Sequence, residues 1–250
     1  MTVQRILPAF AAACIIRGMS CLAGPGGSLA LTSDYVYHGI SQTCGHPAIQ
    51  ADLHWSSADG RAASEAFVGA WGSAGVEQSG CGAAREINLY AGYGLAVGSQ
   101  SRASLTYTHY AYPGGSFFTP PPFTGHRYDY DAFEAAWAWQ DQVFLSVAWT
   151  PDALRYEEYR PPPSDRSALS YGLQLRRPLL AGIALSAGVG YDQITDPAAT
   201  GYGFYDLGLG YGWRSLGVQA SFFRTATRAE RLFGASVAGG RVALSAVWRF

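Results

Sequence analysis

Asp52, His54 and Ser56 stand two apart in one stretch of chain. In an extended strand that spacing puts all three side chains on one face, where the His54 imidazole can activate the Ser56 hydroxyl. Outer-membrane lipid hydrolases use a His and a Ser at this spacing, with the pair turned toward lipid. Here Ala51, Leu53 and Trp55 claim the apolar face. The expectation is therefore an inward-facing His54–Ser56 pair near the inner end of its strand, and no enzyme. The five histidines are scattered without close ligand spacing, so neither a metal nor another cofactor is expected. The chain carries no phosphate-cradling loop, and Gly92-Tyr93-Gly94 is ordinary strand glycine.

The same argument, applied along the chain, yields a polar set. Period-2 alternation over about ten residues recurs some twelve times. Ala51, Leu53 and Trp55 oppose Gln50, Asp52 and His54; Ile87, Leu89, Ala91, Tyr93 and Leu95 oppose Glu86 and Asn88; Leu169, Tyr171, Leu173 and Leu175 oppose Ser170, Gln174 and Arg176. From Leu29, the odd positions Leu31, Tyr35 and Tyr37 alternate with Thr32, Asp34 and His38, which places the two tyrosines on the apolar side. Segments 183–191, 205–213 and 218–222 repeat the pattern, whereas the facing of 63–72, 102–112, 128–139 and 143–150 is not fixed by alternation. The polar face thus gathers Asp34, His38, Gln50, Asp52, His54, Glu86, Glu134, Arg176, Asp192, Asp206 and Arg241 as candidates to line a pore for small hydrophilic solutes. The alternative for these residues is a closed lumen in which carboxylates pair with arginines.

Such segments need a sheet that meets lipid on one side. Hydrophobic residues are 48% of the chain and charged residues only 14%, below the usual quarter. Mean hydropathy is +0.01, and past residue 24 no stretch approaches the roughly 20 apolar residues of a membrane-spanning helix. Connections alternate short and long. Short ones fall near Ala58–Arg61, Gly98–Ser101, Gln140–Gln142, Pro178–Gly182 and Arg214–Ser215; long ones near Gly39–Pro47, Ser73–Ala84, Pro113–Arg127, Pro151–Asp165, Gln193–Tyr202 and Thr227–Gly239. That asymmetry predicts a transmembrane up-and-down antiparallel β-barrel of about 12 strands over residues 24–250, all-β, with its long loops outside. Val242, Leu244, Ala246, Trp248 and Phe250 alternate up to a terminal aromatic, and Trp248 with Phe250 reads as the signal for barrel-assembly machinery.

The N-terminus predicts export. Arg5 precedes an apolar stretch from Ile6 to Ile16, too short to cross a bilayer, and cleavage after Ala23 makes residues 1–23 a signal peptide. The expected location is the bacterial outer membrane, reached through the periplasm, with outer-membrane lipid and lipopolysaccharide around the barrel. All 17 basic residues are Arg, and losing Arg5 and Arg17 leaves 15 against 18 acids. No basic face forms, so nucleic acid is not an expected partner. Of four cysteines, Cys44 and Cys81 remain in the mature chain, in adjacent long loops, and a disulfide between them is expected in an oxidising compartment.

The stretch Thr32–Ser41 (Thr-Ser-Asp-Tyr-Val-Tyr-His-Gly-Ile-Ser), then Gln42-Thr43 and Pro47-Ala48-Ile49-Gln50, resembles the TorF family of proteobacterial outer-membrane porins. Phe67–Ser73, Glu86–Tyr93, Tyr110–Gly114 and Tyr130–Glu134 continue the resemblance in order, which covers roughly residues 30–137; the C-terminal half matches in pattern only. The resemblance implies a barrel in the outer membrane. The family usually carries Arg where this chain has His38 and has no Cys at 44, so a charge-selective role for the first loop does not carry over. Three functions are left to distinguish: a passive pore, a non-conducting barrel that anchors a partner through its loops, and the lipid hydrolase. If Cys44 and Cys81 are bonded, mass analysis of an unreduced digest shows one linked peptide, and two alkylated free thiols would refute the bond.

Overall fold

The computed structural model describes residues 23–58, 62–75, 85–113, 116–119, 124–127, 129–151, 167–180, 182–194 and 200–250. Its strands, in chain order, are β1 (Gly24–Thr32), β2 (Val36–Tyr37), β3 (Ile40–Ser41), β4 (Ala48–Ser56), β5 (Ser64–Gly75), β6 (Arg85–Val97), β7 (Ser101–Ala111), β8 (Ser116–Thr119) and β9 (Thr124–Arg127). They continue as β10 (Tyr130–Trp139), β11 (Val143–Thr150), β12 (Ala168–Leu180), β13 (Ile183–Ile194), β14 (Thr200–Trp213), β15 (Leu216–Thr225) and β16 (Arg241–Arg249); one helix, α1 (Thr227–Phe233), lies between the last two.

Twelve of these strands form a closed barrel. Each pairs antiparallel with its barrel neighbour in sequence, and β1 pairs with both β4 and β16, so the ladder has no free edge. The end of the chain completes the closure: Gly27 N–H donates to Phe250 C=O (2.9 Å) and Phe250 N–H donates to Gly27 C=O (3.1 Å). No helix among the described residues is long and apolar enough to cross a membrane.

The outside of the barrel is apolar in the pattern that hydrocarbon requires. Leu53, Val68, Leu89, Leu105, Leu145, Val189, Leu207 and Leu244 are exposed at mid-height. Trp55, Trp139, Trp213 and Trp248 ring the short-turn end, and Trp149, Tyr171, Tyr191 and Tyr205 form a girdle toward the long-loop end, as aromatic side chains do at the two membrane interfaces. A soluble protein does not expose a continuous surface of this kind. The fold is that of a transmembrane β-barrel.

The short turns carry the chemistry of tight hairpins. Gln140 and Asp141 both have positive φ (50° and 53°), and Gln142 N–H donates to Trp139 C=O at 3.0 Å, the mirror-image turn that suits strand twist.

The facing that alternation left open is settled by packing. On β5 the odd residues Glu65, Phe67, Trp71 and Ser73 are enclosed; on β7, Ser104, Thr106, Thr108 and Tyr110; on β10, Tyr130, Ala132 and Ala138; on β11, Phe144 and Thr150. Glycines beside the large inward side chains make this possible. A Cβ at Gly92 would meet the Phe67 ring, and one at Gly69 the Tyr90 hydroxyl, so each ring lies flat across a neighbouring strand.

The first strand differs from the expectation. It ends at Thr32, and residues 33–47 turn into the barrel. Tyr35 and Tyr37, expected on the apolar outer face, are buried inside. Local hydrogen bonds outcompete the ladder here: Thr32 Oγ1 donates to Asp34 C=O (2.7 Å), and Gln42 N–H to Tyr35 C=O (2.7 Å). His38 and Gly39 then take positive φ (45° and 77°), which no strand tolerates. The connection expected over 193–202 is also shorter, because β13 runs to Ile194 and β14 starts at Thr200.

Gly92→Leu should therefore weaken the barrel by about 1–3 kcal/mol through overpacking against Phe67. The measurement is the temperature at which the compact band is lost in semi-native electrophoresis, and an unchanged temperature would contradict the packing described.

Candidate functional site: the plugged outer lumen

The segment 33–47 is fixed by Asp34. This carboxylate is 5% exposed and accepts hydrogen bonds from Ser41 Oγ (2.5 Å), Thr43 Oγ1 (2.9 Å) and Gly45 N–H (3.3 Å). Arg241, from β16, lies 3.1 Å from its second oxygen and also donates to Ala238 C=O (3.2 Å). Two residues that alternation offers as separate pore candidates thus form one ion pair that ties the inward segment to the last strand.

The segment reaches across the lumen. At one side Tyr35 packs on Trp71 (5.6 Å between centroids), with its hydroxyl 3.5 Å from Glu86. At the other, His38 stacks between Tyr37 and Phe204, and its Nδ1 lies 2.9 Å from both oxygens of Asp192. Gly39 passes so close to β15 that a Cβ would sit 2.6 Å from Thr225 Cγ2. The loop before β16 leans on this segment: Ser41 N–H donates to Val237 C=O (2.8 Å), Ala229 of α1 is fully buried, and Phe233 meets Tyr202 edge-on at 5.3 Å. The long-loop end of the lumen is thus filled by two loops that interlock.

Burial pushes the Tyr35 phenol well above its usual range, and the nearby Glu86 adds to this. Burial does the same for Tyr37, and the neighbouring Tyr110, Asp192 and Glu134 add to it. Both phenols are neutral.

The remaining candidates occupy separate places. Asp52 faces inward, with one oxygen 2.6 Å from His54 Nδ1 and the other accepting from Tyr90 Oη at 2.6 Å. Ser56 is also enclosed, but its hydroxyl donates to Ala58 C=O (2.7 Å) and not to His54. His54 Nε2 faces Gly26, where a Cβ would lie 2.7 Å away. Gln50 is half-buried on the enclosed face. Asp206 is partly buried over Gly188, whose missing Cβ leaves room for its carboxylate. Arg176 is exposed near the short-turn rim, and Glu134 projects inward from β10. Trp248 and Phe250 are exposed and pack together at 5.0 Å. Cys44 sits in the inward segment with φ 54°; Cys81 and residues 1–22 lie outside the described residues. Among the described residues no cluster of three His, Cys, Asp or Glu side chains could hold a metal.

Sequence reasoning missed the aromatic lining: Phe67, Trp71, Tyr110, Tyr130, Tyr202 and Phe204, along with the inward pair Glu65 and Arg102 (3.6 Å). For β7 a signal existed, since Ser104, Thr106 and Thr108 alternate with Leu105 and Tyr107. On β5 it did not, because Phe67 and Trp71 point inward while Ala66, Val68 and Ala70 point outward, and both faces read as apolar.

The barrel and its filled lumen place the chain among bacterial transmembrane β-barrels. It belongs to the family described as bacterial protein of unknown function (Gcw_chp), whose model matches residues 25–248. No curated protein matches. Among solved structures, an outer membrane channel from Pseudomonas putida F1 is similar at a TM-score of 0.51 and 12% identity, over 92% of this chain and 96% of that one. A second similar structure comes from work on in-meso crystallization of membrane proteins, with a TM-score of 0.57 and 12% identity, over 91% of this chain and 83% of the other. At these identities the likeness is one of fold.

Removing the Asp34 carboxylate strands Arg241 and releases three donors. Asp34→Ala should destabilise the inward segment by about 3 kcal/mol. Hydrogen exchange should speed up at the Tyr35 and Gly45 amides while β13 stays protected; unchanged exchange at those amides would show that Asp34 does not hold the segment.

Proposed function

We propose that the protein is an outer-membrane channel for passive diffusion of small hydrophilic solutes, narrowed at its outer end by the inward segment 33–47. The observation that carries this reading is a closed barrel whose enclosed face is polar and whose constriction is a loop folded inward and held by ion pairs. Beyond that constriction the wall is lined by small residues, among them Ser146, Ala148, Ser170, Gly172 and Ser186. The resemblance to the TorF porin family and the fold shared with an outer membrane channel support the same reading. In it, residues 1–23 direct export and are removed, Trp248 and Phe250 address the chain to the barrel-assembly machinery, and the apolar exterior meets lipid and lipopolysaccharide. A Cys44–Cys81 disulfide would tie the inward segment to the next long loop.

A second reading has support of its own. The hydrogen bond from Ser41 to Val237 and the burial of Ala229 lock two loops over the mouth, as suits a sealed barrel that anchors a partner. The hydrolase is disfavoured, because both side chains face the lumen and the Ser56 hydroxyl donates to Ala58 C=O.

Planar-bilayer recording of refolded protein decides between the first two. The channel reading expects discrete conductance steps, larger in Asp34→Ala, with a salt-gradient reversal potential that shifts toward anions in Glu86→Gln. Silence from protein shown to be folded and inserted would favour the sealed barrel.

A further inference from the structure

Where β7, β10 and β12 carry charge on the lipid-facing side, it has a partner. His109 Nδ1 lies 2.8 Å from Asp131 Oδ1, which also accepts from Tyr107 Oη at 2.8 Å, and Arg177 donates to Gln142 Oε1 at 3.4 Å. Arg224, on β15, has no ion pair or side-chain hydrogen bond among the described residues. It stands opposite Tyr205 in the register and two residues beyond Phe222, on the same outward face. A Cβ at Gly240 would lie 3.7 Å from the Phe222 ring and 3.9 Å from Arg224 Nη1. The ring and the guanidinium thus lie together over bare backbone on the outside of the wall. The Tyr205 and Phe222 rings are 6.4 Å apart, and with the exposed Val242 they form an apolar shelf at the long-loop girdle.

The chain beyond β15 adds two more cations at the same rim. Helix α1 turns Ala229, Leu232 and Phe233 toward the buried aromatic cluster. It leaves Arg228 and Arg231, neighbours on the helix surface, exposed. Neither makes an ion pair or side-chain hydrogen bond among the described residues. Glu230 is the one carboxylate of the helix. Its Oε1 lies toward Gly239, 3.0 Å from where a Cβ would stand, and it pairs with none of the three arginines. The stretch is anchored to the wall, since Ala226 N–H donates to Gly203 C=O (2.9 Å) and Gly239 N–H to Thr225 Oγ1 (2.8 Å). Residues 224–231 therefore hold three guanidinium groups beside the apolar shelf.

Like charges on one rim repel unless an anion stands among them. A guanidinium grips phosphate through paired N–H bonds, and an arginine at a membrane interface lays its stem on apolar surface while its head reaches the polar layer. Positive charge directly above an aromatic girdle complements a molecule with phosphates at one end and hydrocarbon at the other. We propose that this rim is a binding site for the phosphorylated headgroup of an outer-leaflet lipid, with Arg224, Arg228 and Arg231 on its phosphates and Tyr205, Phe222 and Val242 against its acyl chains. The inference deepens the proposed function, resting on its outer-membrane placement and not on conduction.

Native mass spectrometry of the folded protein in detergent, titrated with diphosphoryl lipid A, tests the site without requiring conductance. Saturable retention is expected, tighter by about tenfold or more than that of the dephosphorylated lipid with the same acyl chains. Arg224→Gln should weaken retention by a few-fold, and the combined Arg224→Gln, Arg228→Gln and Arg231→Gln variant by about tenfold or more. Arg177→Gln, at the short-turn rim, should leave it unchanged. Every variant replaces exposed side chains and should keep the heat-modifiable compact band; if the combined variant does not fold, Arg224→Gln decides. Equal retention of the dephosphorylated lipid, undiminished retention in the folded variants, or an equal loss in Arg177→Gln would overturn the site. Full displacement of lipid A by inorganic phosphate, at ionic strength matched with chloride, would leave an anion site and overturn the lipid assignment. Lipid A retention by a barrel that never conducts would overturn the channel reading alone; conductance without lipid A retention would overturn the site alone.

Discussion

A backbone polar group left unpaired in hydrocarbon costs several kcal/mol, and everything else in this structure follows from that penalty. It forbids an open edge, so β1 must pair with β16 as well as β4, and Phe250 must close the ladder through Gly27. Closure in turn fixes an inside and an outside on every strand. The outside has a single allowed chemistry, apolar with aromatic rims. The inside is released from that rule and can hold charge, provided each charge finds a partner.

Partnering is the second level of organisation. Asp34 with Arg241, His38 with Asp192 and Asp52 with His54 are each short pairs within the barrel. Two of them anchor the inward segment, one to the last strand and one to the far wall. Enclosed charges of this kind contribute less to net stability than to a unique arrangement. Here they specify where the inward loop sits inside the barrel wall, which is what a constriction needs.

Glycine has a structural part in the same arrangement. Gly69 and Gly92 leave room for Tyr90 and Phe67 to lie across the wall, and Gly190 does so for Phe204. Phe204 then presents its face to His38 of the inward segment, and Tyr90 its hydroxyl to Asp52. The aromatic residues of this chain therefore serve two solvents, lipid on the outer girdles and a polar interior on β5, β6, β7 and β10.

Alternation of side chains by itself determined the barrel: twelve spanning strands, the short-and-long rhythm of connections, and the inward facing of Gln50, Asp52, His54 and Ser56. These are local consequences of period 2 in a sheet with lipid on one face, and they need no knowledge of neighbours. Only the tertiary structure decided what residues 33–47 do. Their alternation reads as a continuing strand, but Asp34 binds back to its own loop, and the bonds to Arg241 and Asp192 span more than 150 residues. No local pattern encodes a partner that distant. For the same reason the facing of Phe67 and Trp71 stayed hidden, since an aromatic side chain is apolar enough for lipid, and only its packing against Tyr35 and Tyr90 shows that it points the other way.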